Sequence, residues 1–168
     1  MKRLLITALL ALMSATALKA QNTMVVDSEK VFKSVAAYND AMQTLDDLGK
    51  KYDKEIEDAY AAIEKMFNDY QTEKMYLSTG TRQQREEAIL KKEKEVQERQ
   101  ESLFGQEGEL IKKRVELIKP VQDKVFGVIS DYATRNGFGV VIDIASNPTV
   151  LFYSPTADKT QQIIDLVK

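Results

Sequence analysis

Between Asn39 and Leu77 the chain contains no proline, and its apolar side chains fall on one helical line. Leu45, Leu48, Tyr52, Ile56, Ala59, Ile63, Met66 and Tyr70 are separated by steps of 3, 4, 4, 3, 4, 3 and 4, the spacing of one face of an α-helix. At 1.5 Å per residue such a helix is about 57 Å long. Ser78-Thr79-Gly80-Thr81 reads as a turn, with Thr81 and Gln84 in the positions of a capping box that restarts a helix. This second helix is predicted from Arg82 to about Thr134, roughly 80 Å by the same rise. Two helices joined by so short a turn lie antiparallel. Residues 39–132 are therefore expected to form a long helical hairpin, an arm.

The second helix has two halves. Between Ser78 and Glu109 only six of 32 residues are apolar and fourteen are charged. Ile89, Val96 and Leu103 follow one another at seven, so one apolar side chain per heptad marks the seam. Pairs such as Glu87 with Lys91 and Glu95 with Arg99 are expected to support the helix by a few tenths of a kcal/mol each, roughly. Gly105 and Gly108 fall inside this predicted helix, where each costs about 1 kcal/mol relative to Ala; they mark this half as weakly packed and as the place where the arm flexes. From Leu110 to Tyr132 eleven of 23 residues are apolar, including Val125 and Ile129, a face wide enough to meet more than one neighbour. Pro120 lies within it and should kink the helix.

Strand patterns occur only toward the two ends. Thr23 to Asp27, with Val25 and Val26, reads as one strand, and Ser28 with Glu29 can cap a short helix carrying Val31 and Phe32. Asn136-Gly137 stops the second long helix. Phe138 to Ile144, with Val141, reads as a strand, Ser146-Asn147-Pro148 as a turn, and Thr149 to Tyr153, with Phe152, as the returning strand of a hairpin. Asp158-Lys159-Thr160 then caps a final helix with Ile163, Ile164, Leu166 and Val167. The fold class is α+β, mostly α, with the hairpin projecting from a small β-sheet body made by residues 21–38 and 133–168. Three short strands and two short helices make a small core for one chain, so oligomerisation is expected, with Val25, Val26, Phe32, Val125, Ile129, Val141 and Phe152 as candidate contacts.

Composition narrows the function. Lys2 and Arg3 precede an apolar stretch from Leu4 to Leu18 and then small residues, the layout of a secretory signal peptide over residues 1–20. The stretch is short for a membrane span of about 20 residues. Cleavage is expected after Ala20, leaving Gln21 first, with Ala17 as the alternative site. Loss of Lys2, Arg3 and Lys19 takes the basic count from 24 to 21 against 26 acids, a net charge of −5. An acidic protein gains nothing general from phosphate polymers, so nucleic acid is not expected as a partner. The chain has no Cys and no His, which removes thiol chemistry, the common nucleophilic dyads and most zinc sites. Carboxylate pairs such as Asp46-Asp47 and Glu86-Glu87 sit in charge-rich helix and read as solvated faces. No catalysis, cofactor or metal is expected.

The first helix also carries aromatic and Met side chains. Those on the stripe fill the seam, but Tyr60, Phe67 and Tyr76 lie off it. With Met75, an adaptable side chain suited to promiscuous contact, they are candidates for holding unfolded polypeptide.

This layout resembles the Skp/OmpH family of periplasmic chaperones. Val25-Val26-Asp27-Ser28 with Val31-Phe32 is similar to the family's opening strand and short helix, and Ala41 and Leu45 begin the arm in the expected places. Ile118-Lys119-Pro120-Val121 through Tyr132 resembles its returning helix. Asn136-Gly137-Phe138-Gly139 through Asp143, then Tyr153-Ser154-Pro155 through Thr160 and Ile163 to Val167, resemble its strand, turn and final helix. The resemblance implies a periplasmic homotrimer whose helical arms enclose unfolded outer-membrane proteins without ATP, close to a membrane surface. Well-known members are basic, and this acidic chain departs from them, so the family's lipopolysaccharide-binding role, which needs clustered bases, is not expected of it. The functional expectation is a holdase for unfolded envelope proteins. The alternative is a structural coiled-coil or adaptor protein of the envelope with one fixed partner.

Overall fold

The computed structural model describes residues 22–168, so the signal-peptide segment, residues 1–20, lies outside the described residues. The chain is mostly helical, with a two-stranded sheet: β1 (Asn22–Val26), α1 (Ser28–Lys33), α2 (Ala36–Glu73), a 3₁₀ turn (Lys74–Tyr76), α3 (Thr79–Phe104), α4 (Glu109–Arg135), β2 (Phe138–Asp143) and α5 (Thr160–Val167). Among the described residues no helix is long and apolar enough to cross a membrane. Two compact units divide the chain, one of residues 37–121 and one that includes 22–36 and 122–168.

The first unit is a helical hairpin. Tyr52, Ile56, Ile63 and Tyr70 of α2 and Ile89, Val96 and Leu103 of α3 form one buried cluster, with Leu48, Ala59, Met66, Leu77, Phe104 and Leu110 packed against it. The predicted stripe on α2 is thus the seam. The lean stripe of α3 closes it despite its single apolar residue per heptad, because each of the three is buried and Leu103 fully so. Tyr52 and Phe104 meet edge to face, with ring centroids 6.1 Å apart.

Both helix boundaries on α3 differ from expectation. Ser78 caps α3, its hydroxyl accepting from Thr81 N at 3.2 Å, so Thr81 is the donor of the cap and not the cap itself. Gly105 and Gly108 are not interior helical residues; they form the break between α3 and α4. Gly105 N donates to Glu101 O at 2.8 Å and Gly108 N to Gly105 O at 2.8 Å. The turn is tight enough that a Cβ on Gly105 would lie 2.5 Å from Glu101 O, and one on Gly108 2.6 Å from Leu103 O. The glycines are required by close backbone approach, and the helix ends to accommodate them. Helix α4 continues through Pro120, which forgoes one backbone hydrogen bond.

The second unit is built on β1. Strand β2 pairs with it in parallel, Thr23 opposite Val140 through Val26 opposite Asp143, after a register shift at Asn22/Thr23. A parallel pair demands a long crossover, here everything from α1 to α4. The other edge of β1 is filled by Ala157–Lys159: Val25 N donates to Ala157 O at 2.9 Å and Lys159 N to Val25 O at 3.0 Å. Met24, Val25 and Val26 are all buried, as expected of a strand covered on both faces. Val31 of α1, Val125 of α4 and Ile163 and Val167 of α5 complete the core. Phe32 meets Phe126 edge-on at 5.9 Å, and Lys124 Nζ donates to the Val167 carbonyl at 2.8 Å.

Three expectations are corrected in this unit. Thr149 to Tyr153 is not a strand: Asn147 Oδ1 accepts from Thr149 N and its hydroxyl, at 3.2 and 2.5 Å, and the chain then runs out with Leu151 and Phe152 exposed. Among the described residues β2 pairs with β1 alone, so the expected hairpin does not form, and the other edge of β1 is taken by Ala157–Lys159. Helix α1 is capped by Asp27, which accepts from Lys30 N at 3.0 Å. Ser28 instead turns to Asp143, giving its backbone N–H to Oδ1 at 3.1 Å and its hydroxyl to Oδ2 at 2.6 Å. Thr160 does not cap α5 with its side chain; its hydroxyl accepts from Asp27 N at 2.9 Å. Gly137, at φ 73°, stops α4 as predicted.

Burial alone would raise the Asp143 carboxyl, but hydrogen bonds from Ser28, Ala145 and Ser146 outweigh it and hold the group below its ordinary value. A carboxylate held low stabilises the fold above the unfolded Asp value, about pH 3.9, and that contribution is lost as pH falls through the lowered folded value. Asp143→Asn is expected to cost about 1.5–3 kcal/mol near neutrality, the range for hydrogen bonds to a charged group. The loss should shrink in acid, measurable by thermal melts between pH 7 and pH 2. The glycines give a second test. Gly49→Ala, with nothing within 4 Å of the new Cβ, should raise stability by about 1 kcal/mol. Gly108→Ala should lower it by about 1–3 kcal/mol through steric strain. Urea titration separates the two, and a stabilised Gly108→Ala would refute the packed-turn reading.

Candidate interaction surfaces of the hairpin and the terminal unit

The seam of the hairpin has two edges, and they differ. Along one, acids and bases meet across the helices: Arg85 Nη2 lies 3.2 Å from Glu73 Oε2, and Arg99 Nε lies 2.7 Å from Glu55 Oε1. Arg99 Nη1 also reaches Glu109, the first residue of α4, at 2.7 Å, and the Tyr52 hydroxyl donates to the same carboxylate at 3.0 Å. One guanidinium therefore ties α2, α3 and α4 together beside the glycine break. Hydrogen bonds to Glu55 and then Glu109 push Arg99 above its ordinary range, and those from Arg99 and Tyr52 hold Glu109 below its own. The intrahelical pairs expected from spacing are replaced. Glu95 pairs with Lys92 at 3.2 Å, Glu87 accepts from Gln83 at 2.9 Å, and Arg99 turns across the seam. The planar fork of Arg finds two carboxylates there, which one i,i+4 contact cannot offer.

The opposite edge is apolar and acidic. On α2 it is the row Asp53, Glu57, Tyr60, Glu64, Phe67 and Gln71; on α3 it is Glu86, Leu90, Glu93, Gln97 and Gln100. Both rows advance by alternate steps of 4 and 3, the next line beside the seam on each helix. They face each other: the Tyr60 hydroxyl donates to Gln100 Oε1 at 3.3 Å. Farther along, an open cleft of about 370 Å³ is lined by Phe67, Gln71 and Lys74 on one side and Glu86, Leu90 and Glu93 on the other, with Tyr70 and Ile89 between. The Tyr70 hydroxyl donates to Glu86, and Lys74 Nζ lies 5.4 Å from the Tyr70 ring centroid.

The candidate residues for polypeptide contact fall in two places. Tyr60 and Phe67 lie on the apolar edge and are 42% and 48% exposed, too open to be seam residues. Met75 and Tyr76 stand on the 3₁₀ turn and are almost fully exposed. Leu90, also exposed, was not anticipated. Its signal was present in the spacing, since it lies off the heptad of α3 as Phe67 lies off the stripe of α2.

The candidates for subunit contact are divided by burial. Val25, Val26 and Val125 are consumed by the core of the chain itself; they can support a surface but not form one. Phe32 and Ile129 are half-buried. Val141 and Phe152 are exposed, as are Val140 and Leu151. The network at Asp143, Ser28, Asp27 and Thr160 was not legible as a site, because its members are more than a hundred residues apart in the chain.

The sequence profile of the OmpH-like outer membrane protein family matches residues 22–167. The chain belongs to that family. The match spans the strands, the hairpin and α5, so the family resemblance of the terminal blocks extends over every described element. An OmpH-like protein from Caulobacter crescentus CB15, whose crystal structure is provisionally described as that of an outer membrane chaperone, is similar in fold with a TM-score of 0.69. The similarity covers 87% of this chain and 83% of that one at 12% sequence identity, an identity at which the fold alone is shared. No curated protein sequence matches this chain.

Proposed function

We propose that this protein is an ATP-independent holdase of the periplasm, exported by a cleaved signal peptide, that binds unfolded outer-membrane or other envelope proteins. The observation that carries this reading is the set of apolar side chains that the hairpin leaves to solvent. Tyr60, Phe67 and Leu90 line one edge, and Met75 and Tyr76 occupy the turn. A chain that buries Tyr52, Ile56, Ile63, Tyr70, Ile89, Val96 and Leu103 in its seam yet exposes these has surface available for weak, replaceable contacts, which suit a binder of many partners. Membership of the OmpH-like family supports the same reading.

The working form is a homotrimer close to the membrane surface. Its support is the exposed apolar group of Val140, Val141, Leu151 and Phe152 in the terminal unit, together with the small core of that unit. Gly105 and Gly108 serve as the joint at which the hairpin adapts to clients of different size.

Without nucleotide, an equimolar amount of the trimer is expected to suppress light scattering by a denatured outer-membrane barrel protein diluted from urea. Phe67→Ser combined with Tyr76→Ser should require several-fold more protein for the same protection, with helicity by circular dichroism unchanged. Absence of protection by the unaltered protein would favour the adaptor reading. Light scattering on the eluting chromatographic peak of the cleaved protein should give three times the chain mass; a monomer would contradict the assembly.

A further inference from the structure

The two edges of the hairpin differ in how their charges are partnered. On the edge of Arg85 and Arg99, carboxylates face guanidinium groups across the seam. On the edge of Tyr60 and Phe67, Asp53, Glu57, Glu64 and Glu93 form no ion pair among the described residues, although they alternate with exposed rings and with Leu90. The one cation lining the cleft, Lys74, lies against the Tyr70 ring.

We infer that this edge is a docking track for cationic apolar stretches of unfolded polypeptide, segments in which Lys or Arg lies two residues from an aromatic or aliphatic residue, so that both fall on one face of the extended chain. The inference rests on the holdase reading and names the client chemistry that the hairpin prefers. Charge complementarity carries it. Carboxylates three or four positions from a ring stand about 5–6 Å from it on the helix surface. In an extended peptide, side chains on one face recur about every 6.4–6.8 Å. A peptide lying along the edge can thus seat an apolar side chain in the Phe67–Leu90 cleft while a neighbouring ammonium or guanidinium reaches Glu64 or Glu93. The same cation can lie on the open face of Tyr60 or Phe67. An acidic stretch would meet like charge at Asp53, Glu57, Glu64 and Glu93. Each exposed contact is weak, so selection comes from repetition along the edge and fades as salt screens it.

The test uses the full cleaved protein and two fluorescent peptides with the same apolar residues, one with Lys and one with Glu at positions two residues from them, on the same face of the extended chain. At low salt the Lys peptide is expected to bind about tenfold more tightly, roughly twofold from each of three exposed contacts, and the gap should close in high salt. Glu57→Gln, Glu64→Gln and Glu93→Gln together should abolish the difference. Glu73→Gln with Arg85→Gln, on the paired edge, should leave it intact, and Phe67→Ser should weaken both peptides. Equal binding, preference for the Glu peptide, or a preference that survives the triple change would overturn the inference. If the unaltered protein still protects a denatured barrel protein in that case, the holdase reading stands and only the charge selection falls. If it neither protects nor binds either peptide, both fall together.

Discussion

One short strand receives partners on both sides from the far end of the chain. β1 pairs with β2 along one edge and with Ala157–Lys159 along the other. Just beyond it, Asp27 and Ser28 extend the pairing through Thr160 and Asp143. Closing a flexible loop of about 110 residues would cost on the order of 4 kcal/mol in chain entropy. Burial of Met24, Val25 and Val26, at about 1.5–3 kcal/mol for each large side chain, is enough to offset that. The helices lower the closure cost further, because a hairpin that has already folded back has fewer ways to keep its ends apart. The sheet is small, but it stands where the chain's most distant segments meet.

What the amino-acid pattern disclosed depends on the distance over which each feature is determined. The α2 stripe from Leu48 to Tyr70, the seam at Ile89, Val96 and Leu103, and the stop at Gly137 are set within one or two helical turns, and the structure has them where periodicity predicts. The misjudged features were decided by a partner remote in sequence. Ser28 has the chemistry of a cap, but Asp143 lies within its reach and Asp27 takes the cap instead. Thr149 to Tyr153 has strand composition, but Asn147 holds the chain in a turn at Thr149 and the open edge of β1 goes to Ala157–Lys159. Arg99 could have served Glu95 within α3, and it finds two carboxylates across the seam. Gly105 and Gly108 appeared as weak points in a helix because propensity says nothing about close backbone approach; they are where the helix ends.

The candidate binding surface shows the same division. That Tyr60 and Phe67 fall off the stripe is a matter of counting residues. That they share an edge with Leu90, while the opposite edge holds the interhelical ion pairs, follows only from the register of α2 against α3. A seam with one apolar residue per heptad on α3 leaves room for this asymmetry. Few seam positions are spent on packing, so the flanking rows lie close to the axis and determine what the hairpin presents to other molecules.

The parallel arrangement of β1 also imposes an order of events. During synthesis from the amino end, β1 emerges before the other described elements, yet its partners are not both present until everything through Lys159 has followed. The contacts within α2 and α3 are local by comparison and can form earlier, because short-range contacts carry the smaller closure cost. Throughout that interval Met24, Val25 and Val26 form an unpaired apolar strand, the kind of segment that seeks any available edge. A protein proposed to protect others in the unfolded state thus passes through a vulnerable stage of its own, set by where its first strand finds its neighbours.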